Sequence, residues 1–202
     1  MKIKICGLRD NFLEVAALKP DFLGLIFYEK SPRFVPQNVD NQLKQKTFGS
    51  QKVGVFVNES EEKILKIIKE FNLDFVQLHG SETPDFCEKI RKKIPVIKAF
   101  GISSKADLFA AKKYYQSVDY LLFDTKTSGF GGSGRKFDWS VLREEEIQKP
   151  FLLSGGIDLY GLDEIKTLKI KNLVGVDLNS RFEISPALKD IESLQKAIKI
   201  LR

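Results

Sequence analysis

The sequence predicts a (β/α)8 barrel, and three observations support this fold class. Short apolar segments, typical of buried strands, alternate with longer segments in which apolar residues recur at helical spacing. This alternation repeats about eight times within 202 residues, which fits a closed barrel with its helices outside. Strands that alternate with helices also imply a parallel sheet. A doubly wound open sheet is the alternative, because counting repeats does not distinguish it from a barrel.

The chain opens with an alternating strand and a helix. In residues 2–6 the apolar side chains face one side of the strand, whereas Lys4 and Cys6 face the other. Apolar residues near helical spacing predict a helix over residues 10–18, and Asp10 is expected to cap it. The strand therefore ends on a thiol, and a thiol at the carboxyl end of a strand is a candidate base or nucleophile.

The second and third units follow the same order. Residues 22–27 are predicted to form a strand, and after a long connection residues 37–46 are predicted to form a helix. Residues 52–57 form the third strand, and Asn58 or Ser60 is expected to cap the next helix. This helix has the clearest amphipathic pattern of the chain, with an apolar face of Ile64, Leu65, Ile67, Ile68 and Phe71.

Five further strands complete the pattern. They are predicted over residues 75–79, 95–100, 120–124, 151–154 and 173–178. A helix begins at Thr83-Pro84, since proline is favourable at the first helical position. The remaining helices are predicted over residues 104–114, 160–168 and 190–201. A long glycine-rich loop that ends in the sequence FDWSVL follows the sixth strand.

Composition argues against several classes of protein. With 43% hydrophobic residues the chain is expected to form one domain over residues 1–202. The net charge of +6 comes from lysines interspersed with acids, which is typical of solvated helix faces and argues against a nucleic-acid partner. Two separated cysteines, no leader and no apolar run near 18 residues predict a cytoplasmic protein without disulfides or membrane contact.

In a barrel the chemistry lies at the carboxyl ends of the strands. The residues at those ends are Cys6, Arg33, His79, Asp124, Gly155-Gly156 and residues 177–180. Leu122 and Asp124 share a face of the sixth strand, so Asp124 and Cys6 can lie on opposite sides of a small substrate. A carboxyl and a thiol arranged in this way suit paired general acid and general base catalysis.

These residues also have purely structural interpretations. A cysteine near a strand end is usually a small buried apolar residue, and an aspartate followed by threonine, as at Asp124, often caps a loop. Cys87 lies on a predicted helix and is interpreted as a packing residue. His79 is the only histidine, and we interpret it as a hydrogen-bonded residue at a strand end. One histidine and two separated cysteines do not predict a zinc site.

Ten short motifs follow one another from end to end, namely KICGL, GLIFYEKSPRFV, VGVFVN, VQLHG, IKAF, LLFDT, FDW, LLSGGI, VGVDLNSRFE and SPALKD. In this order they resemble the phosphoribosylanthranilate isomerase family of tryptophan biosynthesis. The resemblance implies a (β/α)8 barrel that converts N-(5'-phosphoribosyl)anthranilate to 1-(o-carboxyphenylamino)-1-deoxyribulose 5-phosphate, an Amadori rearrangement, without metal or cofactor. It also implies that Asp124 is the general acid, Cys6 the general base and Arg33 the partner of the anthranilate carboxylate.

Barrel architecture and the resemblance together imply a phosphate site on the loops after the seventh and eighth strands. Its residues are Gly155, Gly156, Asn179, Ser180 and Arg181. Arg181 stands where the family often has glycine. Ser185-Pro186 is expected either to begin a further helical turn or to start the approach to the last helix. Residues 129–134 formally match G-x-G-x-x-G but do not follow the first strand. We interpret this loop as a flexible lid, with Arg135 and Lys136 near the substrate phosphate.

The residue at the end of the first strand distinguishes this family from related barrel enzymes. The related indole-glycerol-phosphate synthase is expected to carry lysine and glutamate at its strand ends, and a histidine-pathway isomerase a pair of aspartates. Cys6 in this position favours phosphoribosylanthranilate isomerase over both. A non-catalytic, anion-binding barrel is the remaining class. The expected partner is a small phosphorylated substrate, and the expected assembly is a monomer or homodimer.

Overall fold

Eight parallel strands close into one barrel in a computed structural model that describes residues 1–45, 47, 49–126, 138–143 and 146–202. The strands are β1 (Lys2–Cys6), β2 (Phe22–Ile26), β3 (Gln51–Phe56), β4 (Phe75–Leu78), β5 (Val96–Ile102), β6 (Tyr120–Thr125), β7 (Phe151–Leu153) and β8 (Leu173–Leu178). They pair in chain order, and β1 also pairs with β8 in a register that sets Lys4 beside Asp177. The predicted barrel is confirmed and the open sheet is excluded, because an open sheet lacks this last pairing.

Helices connect most of the strands around the outside. They are α1 (Phe12–Ala17), α2 (Glu61–Phe71), α3 (Pro84–Arg91), α4 (Lys105–Ala111), α5 (Leu159–Thr167) and α6 (Ile191–Leu201). The Ser60 hydroxyl caps α2 and the Thr83 hydroxyl caps α3, each by accepting a backbone N–H three residues on. No helix in the described part of the chain is long and apolar enough to cross a membrane.

Two local predictions are wrong. Asp10 does not cap α1, since the capping position belongs to Asn11, whose side chain instead bonds the backbone of Lys189. The helix predicted over residues 37–46 is only a 3-10 turn at Asn41–Lys44, because this polar segment has few apolar side chains to bury. Of the two alternatives at Ser185-Pro186, the structure excludes the helical turn.

The segment after β8 forms a 3-10 turn, Ser180–Phe182, and then a short antiparallel hairpin. The hairpin consists of β9 (Glu183–Ser185) and β10 (Leu188–Lys189). It lies between the mouth of the barrel and α6. It therefore carries two charged residues, Glu183 and Lys189, to a buried position beside the barrel mouth.

Polarity changes along the axis of the barrel. The inward side chains at the lower level form an apolar floor of Phe22, Val53, Phe75, Ile97, Ala99, Leu122 and Leu152. Above this floor several inward side chains are polar, and they include Lys4, Gln77 and Asp177, all buried. Since the polar level lies toward the carboxyl ends of the strands, the fold directs the search for a site to that end.

Candidate active site

A cavity of about 730 Å³, counted up to its open mouth, lies at the carboxyl end of the barrel. Eight site residues predicted from the sequence line it, namely Cys6, Arg33, Asp124, Gly155, Gly156, Asn179, Ser180 and Arg181. Part of the wall is apolar or aromatic and suits an aromatic ring, with Ile26, Tyr28, Val55, Val57 and Ile157.

Cys6 ends β1 with its thiol facing the cavity, and the residue is 4% exposed. A Cβ at Gly24, the neighbouring position on β2, would lie 2.8 Å from Sγ, so glycine makes room for the thiol. Burial raises the pKa of Cys6, and the positive charges of Lys4 and Lys189 oppose this shift. Two positive charges therefore lie near the thiol, but its pKa is raised and not depressed.

Lys4 is fully buried two residues before Cys6, and its Nζ lies 2.9 Å from the Asp177 Oδ2. Burial lowers the pKa of Lys4, but the charge of Asp177 and the nearby Cys6 outweigh it, so the pKa is raised. Lys4 therefore remains charged beneath the cavity. The sequence pattern marked Lys4 as sharing a face with Cys6 but did not reveal the ion pair with Asp177.

Asp124 lies near the end of β6, and its side chain is 12% exposed. The Thr125 N–H donates to its Oδ1 over 2.7 Å. Burial raises the pKa of Asp124 to about 6, with a smaller contribution from the negative charge of Asp177. An appreciable fraction of this carboxyl is therefore protonated near neutral pH, as a general acid requires.

His79 follows β4 and contacts both the wall and Asp124. Its Nδ1 lies 3.0 Å from the Gln77 Nε2, and its Nε2 lies 3.8 Å from the Asp124 Oδ2. Burial and the charges of Lys98 and Lys4 lower the pKa of His79 to about 3, so its imidazole is neutral at physiological pH. The interpretation of His79 as a hydrogen-bonded residue at a strand end is confirmed.

Arg33 reaches the cavity from the loop after β2 and is held by Glu183. Its Nε lies 2.9 Å from each Glu183 carboxylate oxygen, and its Nη2 lies 2.7 Å from Oε2. Lys189 donates to the Glu183 Oε1 over 2.6 Å. Sequence reasoning missed Glu183 and Lys189, although both lie within the motifs VGVDLNSRFE and SPALKD.

The loops after β7 and β8 form another part of the cavity wall. Gly155 and Gly156 have φ of +90° and +63°, a conformation that favours glycine. A Cβ at Gly155 would also lie 2.8 Å from the Asp124 Oδ1, so the turn and the carboxyl are packed together. Asn179 accepts from the Lys189 ammonium over 2.9 Å. The predicted lid, residues 129–134 with Arg135 and Lys136, lies outside the described residues.

This set of side chains suits proton transfer on a small anionic substrate. It combines a buried carboxyl, a thiol, a guanidinium and glycine-rich loops around one cavity. Within the described ranges, no three or more His, Cys, Asp or Glu side chains are grouped so that they could hold a metal ion.

Comparisons with known proteins identify relatives of this chain. Residues 3–200 match the family model described as N-(5'phosphoribosyl)anthranilate (PRA) isomerase. A relative named N-(5'-phosphoribosyl)anthranilate isomerase, from Parabacteroides distasonis, is 44% identical over 204 residues, which cover 98% of this chain and 92% of the relative. Phosphoribosyl anthranilate isomerase from Thermotoga maritima superposes with a TM-score of 0.89 and 35% identity, covering 100% of this chain and 98% of that one.

A further solved relative carries a bound ligand. It is a phosphoribosyl anthranilate isomerase in complex with reduced 1-(o-carboxyphenylamino)-1-deoxyribulose 5-phosphate. Its TM-score is 0.85 at 32% identity, with 100% of this chain and 98% of that chain covered. On the evidence of the matched family model, the identities and the shared barrel, this chain belongs to the N-(5'-phosphoribosyl)anthranilate isomerase family.

Proposed function

We propose that the protein converts N-(5'-phosphoribosyl)anthranilate to 1-(o-carboxyphenylamino)-1-deoxyribulose 5-phosphate in tryptophan biosynthesis, with Asp124 as general acid and Cys6 as general base. The observation that supports this best is that both groups line one cavity. The relatives named for this isomerase activity support the reaction itself. The assignment of each residue is argued below from its surroundings.

Asp124 acts first. Its carboxyl gives a proton to the furanose ring oxygen while the bond from that oxygen to C1 breaks, and the nitrogen lone pair forms an iminium with C1. A pKa of about 6 leaves about one tenth of the carboxyl protonated at pH 7. An unshifted aspartate would be protonated about a hundredfold less often, so burial of Asp124 supports this role.

Cys6 acts second. Its thiolate takes the proton from C2, and the electrons of that bond neutralise the iminium and give an enolamine, which tautomerises to the ketone. The positive iminium favours formation of the thiolate, and Lys4 and Lys189 add to that effect. Each such proton transfer contributes roughly 10² to 10⁴ to the rate. Because every step is a proton transfer, the proposed mechanism uses no cofactor.

The substrate has a carboxylate at one end and a phosphate at the other, and we propose different residues for the recognition of each. Arg33 lines the cavity, and we propose that it binds the anthranilate carboxylate, since a guanidinium suits a planar carboxylate. At the other end, Gly155, Gly156 and residues 179–181 are proposed to bind the phosphate through backbone N–H groups. Arg181, which is exposed at the rim, adds positive charge to this end.

The proposal extends to the whole chain. Residues 1–202 are proposed to form a single isomerase domain, and the cytoplasm is proposed as its location from the use of cysteine. A solved Thermotoga maritima relative is described as monomers generated from a dimeric isomerase. We therefore propose that this chain is a monomer or a homodimer.

The proposal is tested by mixing the folded protein with freshly made phosphoribosylanthranilate and following the loss of its fluorescence. We expect rapid conversion, and at least a hundredfold lower kcat/KM in Cys6→Ser and in Asp124→Asn. Cys87→Ala is the matched control, because this second buried thiol lies on α3 and does not line the cavity. Conversion no faster than in buffer would refute the activity, and unchanged kcat/KM in both variants would refute the residue assignment.

A further inference from the structure

Among the described residues, only one edge of the Arg33 guanidinium has a bound partner. Glu183 occupies the edge made by Nε and Nη2, at distances of 2.7 to 2.9 Å. Among the described residues no acceptor contacts Nη1, although the Arg33 side chain is only 10% exposed and lines the cavity. A guanidinium has five N–H donors, so the edge made by Nη1 and Nη2 remains for a second carboxylate.

Glu183 is itself held ionised and immobile. Its side chain is 4% exposed and lies between Arg33 and the fully buried Lys189 ammonium. Burial would raise the pKa of Glu183, but the hydrogen bonds and charges of Arg33 and Lys189 outweigh it and lower the pKa. Lys189 is fixed in turn by two backbone hydrogen bonds to the Asn11 side chain and by its contact with Asn179.

Stability alone does not account for this cluster. Three buried charges cost desolvation energy, and apolar side chains of similar volume in such places are often as stable or more so. An arginine that must bind a carboxylate, however, gains affinity when its rotamer and the plane of its guanidinium are fixed before binding. The hairpin of β9 and β10 brings both counter-charges to Arg33 from one short segment.

We infer that Glu183 is a positioning residue, which clamps one edge of Arg33 so that the other edge receives the aromatic carboxylate of the substrate. Lys189 supplies the counter-charge that keeps Glu183 in place. With Arg33 and Lys189 positive and Glu183 negative, the cluster carries one net positive charge, which matches one carboxylate. The inference rests on the proposed role of Arg33 in binding that carboxylate.

The test compares two substrates, phosphoribosylanthranilate and its analogue N-(5'-phosphoribosyl)aniline, which lacks the carboxylate. We expect Glu183→Gln to raise KM about tenfold for the carboxylated substrate, while kcat and the KM of the analogue each change less than about threefold. In an Arg33→Met background, the same change is expected to have no further effect on KM. A general structural defect would affect both substrates equally.

The buried Lys189 ammonium loses its partner in Glu183→Gln, so this variant is paired with Glu183→Gln/Lys189→Met, which removes that charge. Circular dichroism identifies which variants fold, and the same substrate comparison is applied to those that do. The inference is overturned if the Glu183 variants change KM equally for both substrates, or not at all, while Arg33→Met still distinguishes the carboxylated substrate from the analogue. If Arg33→Met itself fails to discriminate, the proposed role of Arg33 is refuted and the inference with it.

Discussion

Replacement of Asp124 by asparagine is expected to stabilise the folded protein at neutral pH while it abolishes catalysis. Burial raises the pKa of this carboxyl from an ordinary value of 3.8 to about 6. Above pH 6 the carboxyl is ionised in both the folded and the unfolded state, and its charge costs energy only in the folded one. Below 3.8 it is protonated in both states and that cost disappears.

The size of the effect follows from the shift. At 1.36 kcal/mol per pH unit, the change from 3.8 to about 6 corresponds to about 3 kcal/mol at pH 7.5. The side chain is only 12% exposed, so solvent screens little of this cost. Asparagine has nearly the same shape and its Oδ1 can still accept from the Thr125 N–H, which donates over 2.7 Å in this protein. The neutral side chain therefore avoids the cost without losing the contact.

The assay is urea unfolding of both proteins at several pH values between 4 and 7.5. The difference in free energy of unfolding between Asp124→Asn and the original chain should be only about 0.5 kcal/mol at pH 4 and grow toward about 3 kcal/mol by pH 7.5. Asp163→Asn, on the exposed surface of α5, is the matched control and should show no such trend. A difference that does not vary with pH, or a less stable variant at pH 7.5, would refute the reasoning.

Three further predictions concern the reaction. In the proposed mechanism the reactive pair is a protonated carboxyl with a thiolate, and the pKa of Asp124 is about 6 whereas that of Cys6 lies above its ordinary value. The population of this pair is constant between the two pKa values. A pH profile of kcat/KM should therefore rise up to about pH 6 and then stay level through pH 8. A continued steep rise would contradict these assignments. In the double variant Lys4→Met/Asp177→Asn, which removes both members of a buried pair, loss of the lysine charge should raise the pKa of Cys6. This is measured from the pH dependence of thiolate absorbance, with an unchanged titration as the contrary result. Gly155→Ala should lower kcat by roughly tenfold or more, because φ is +90° and the added Cβ would meet the Asp124 carboxyl. A folded variant whose kcat lies within about twofold of the original value would contradict this packing.

Local sequence patterns correctly predicted those structural features that depend on neighbouring residues. The alternation in residues 2–6 correctly indicated that Lys4 and Cys6 share a face, and Thr83-Pro84 correctly marked the start of α3. The prediction of a helix over residues 37–46 was wrong, because a short helix is stabilised mainly by the packing of an apolar face and not by helical propensity alone. The β9–β10 hairpin was missed because it depends on contacts with the rest of the barrel rather than on a local repeat.

The sequence by itself determined most of the succession of strands and helices and the residues that end each strand, because strand alternation and helix spacing repeat within a few residues. Closure of the sheet into a barrel was decided by the pairing of β1 with β8. Only the tertiary structure decided the electrostatics. Lys4 pairs with Asp177 across 173 residues, and Arg33 with Glu183 across 150. Whether a thiol or a carboxyl is buried, and beside which charge, depends on such distant partners. Ionisation energies change with burial and with charges a few ångströms away, which spacing along the chain does not record.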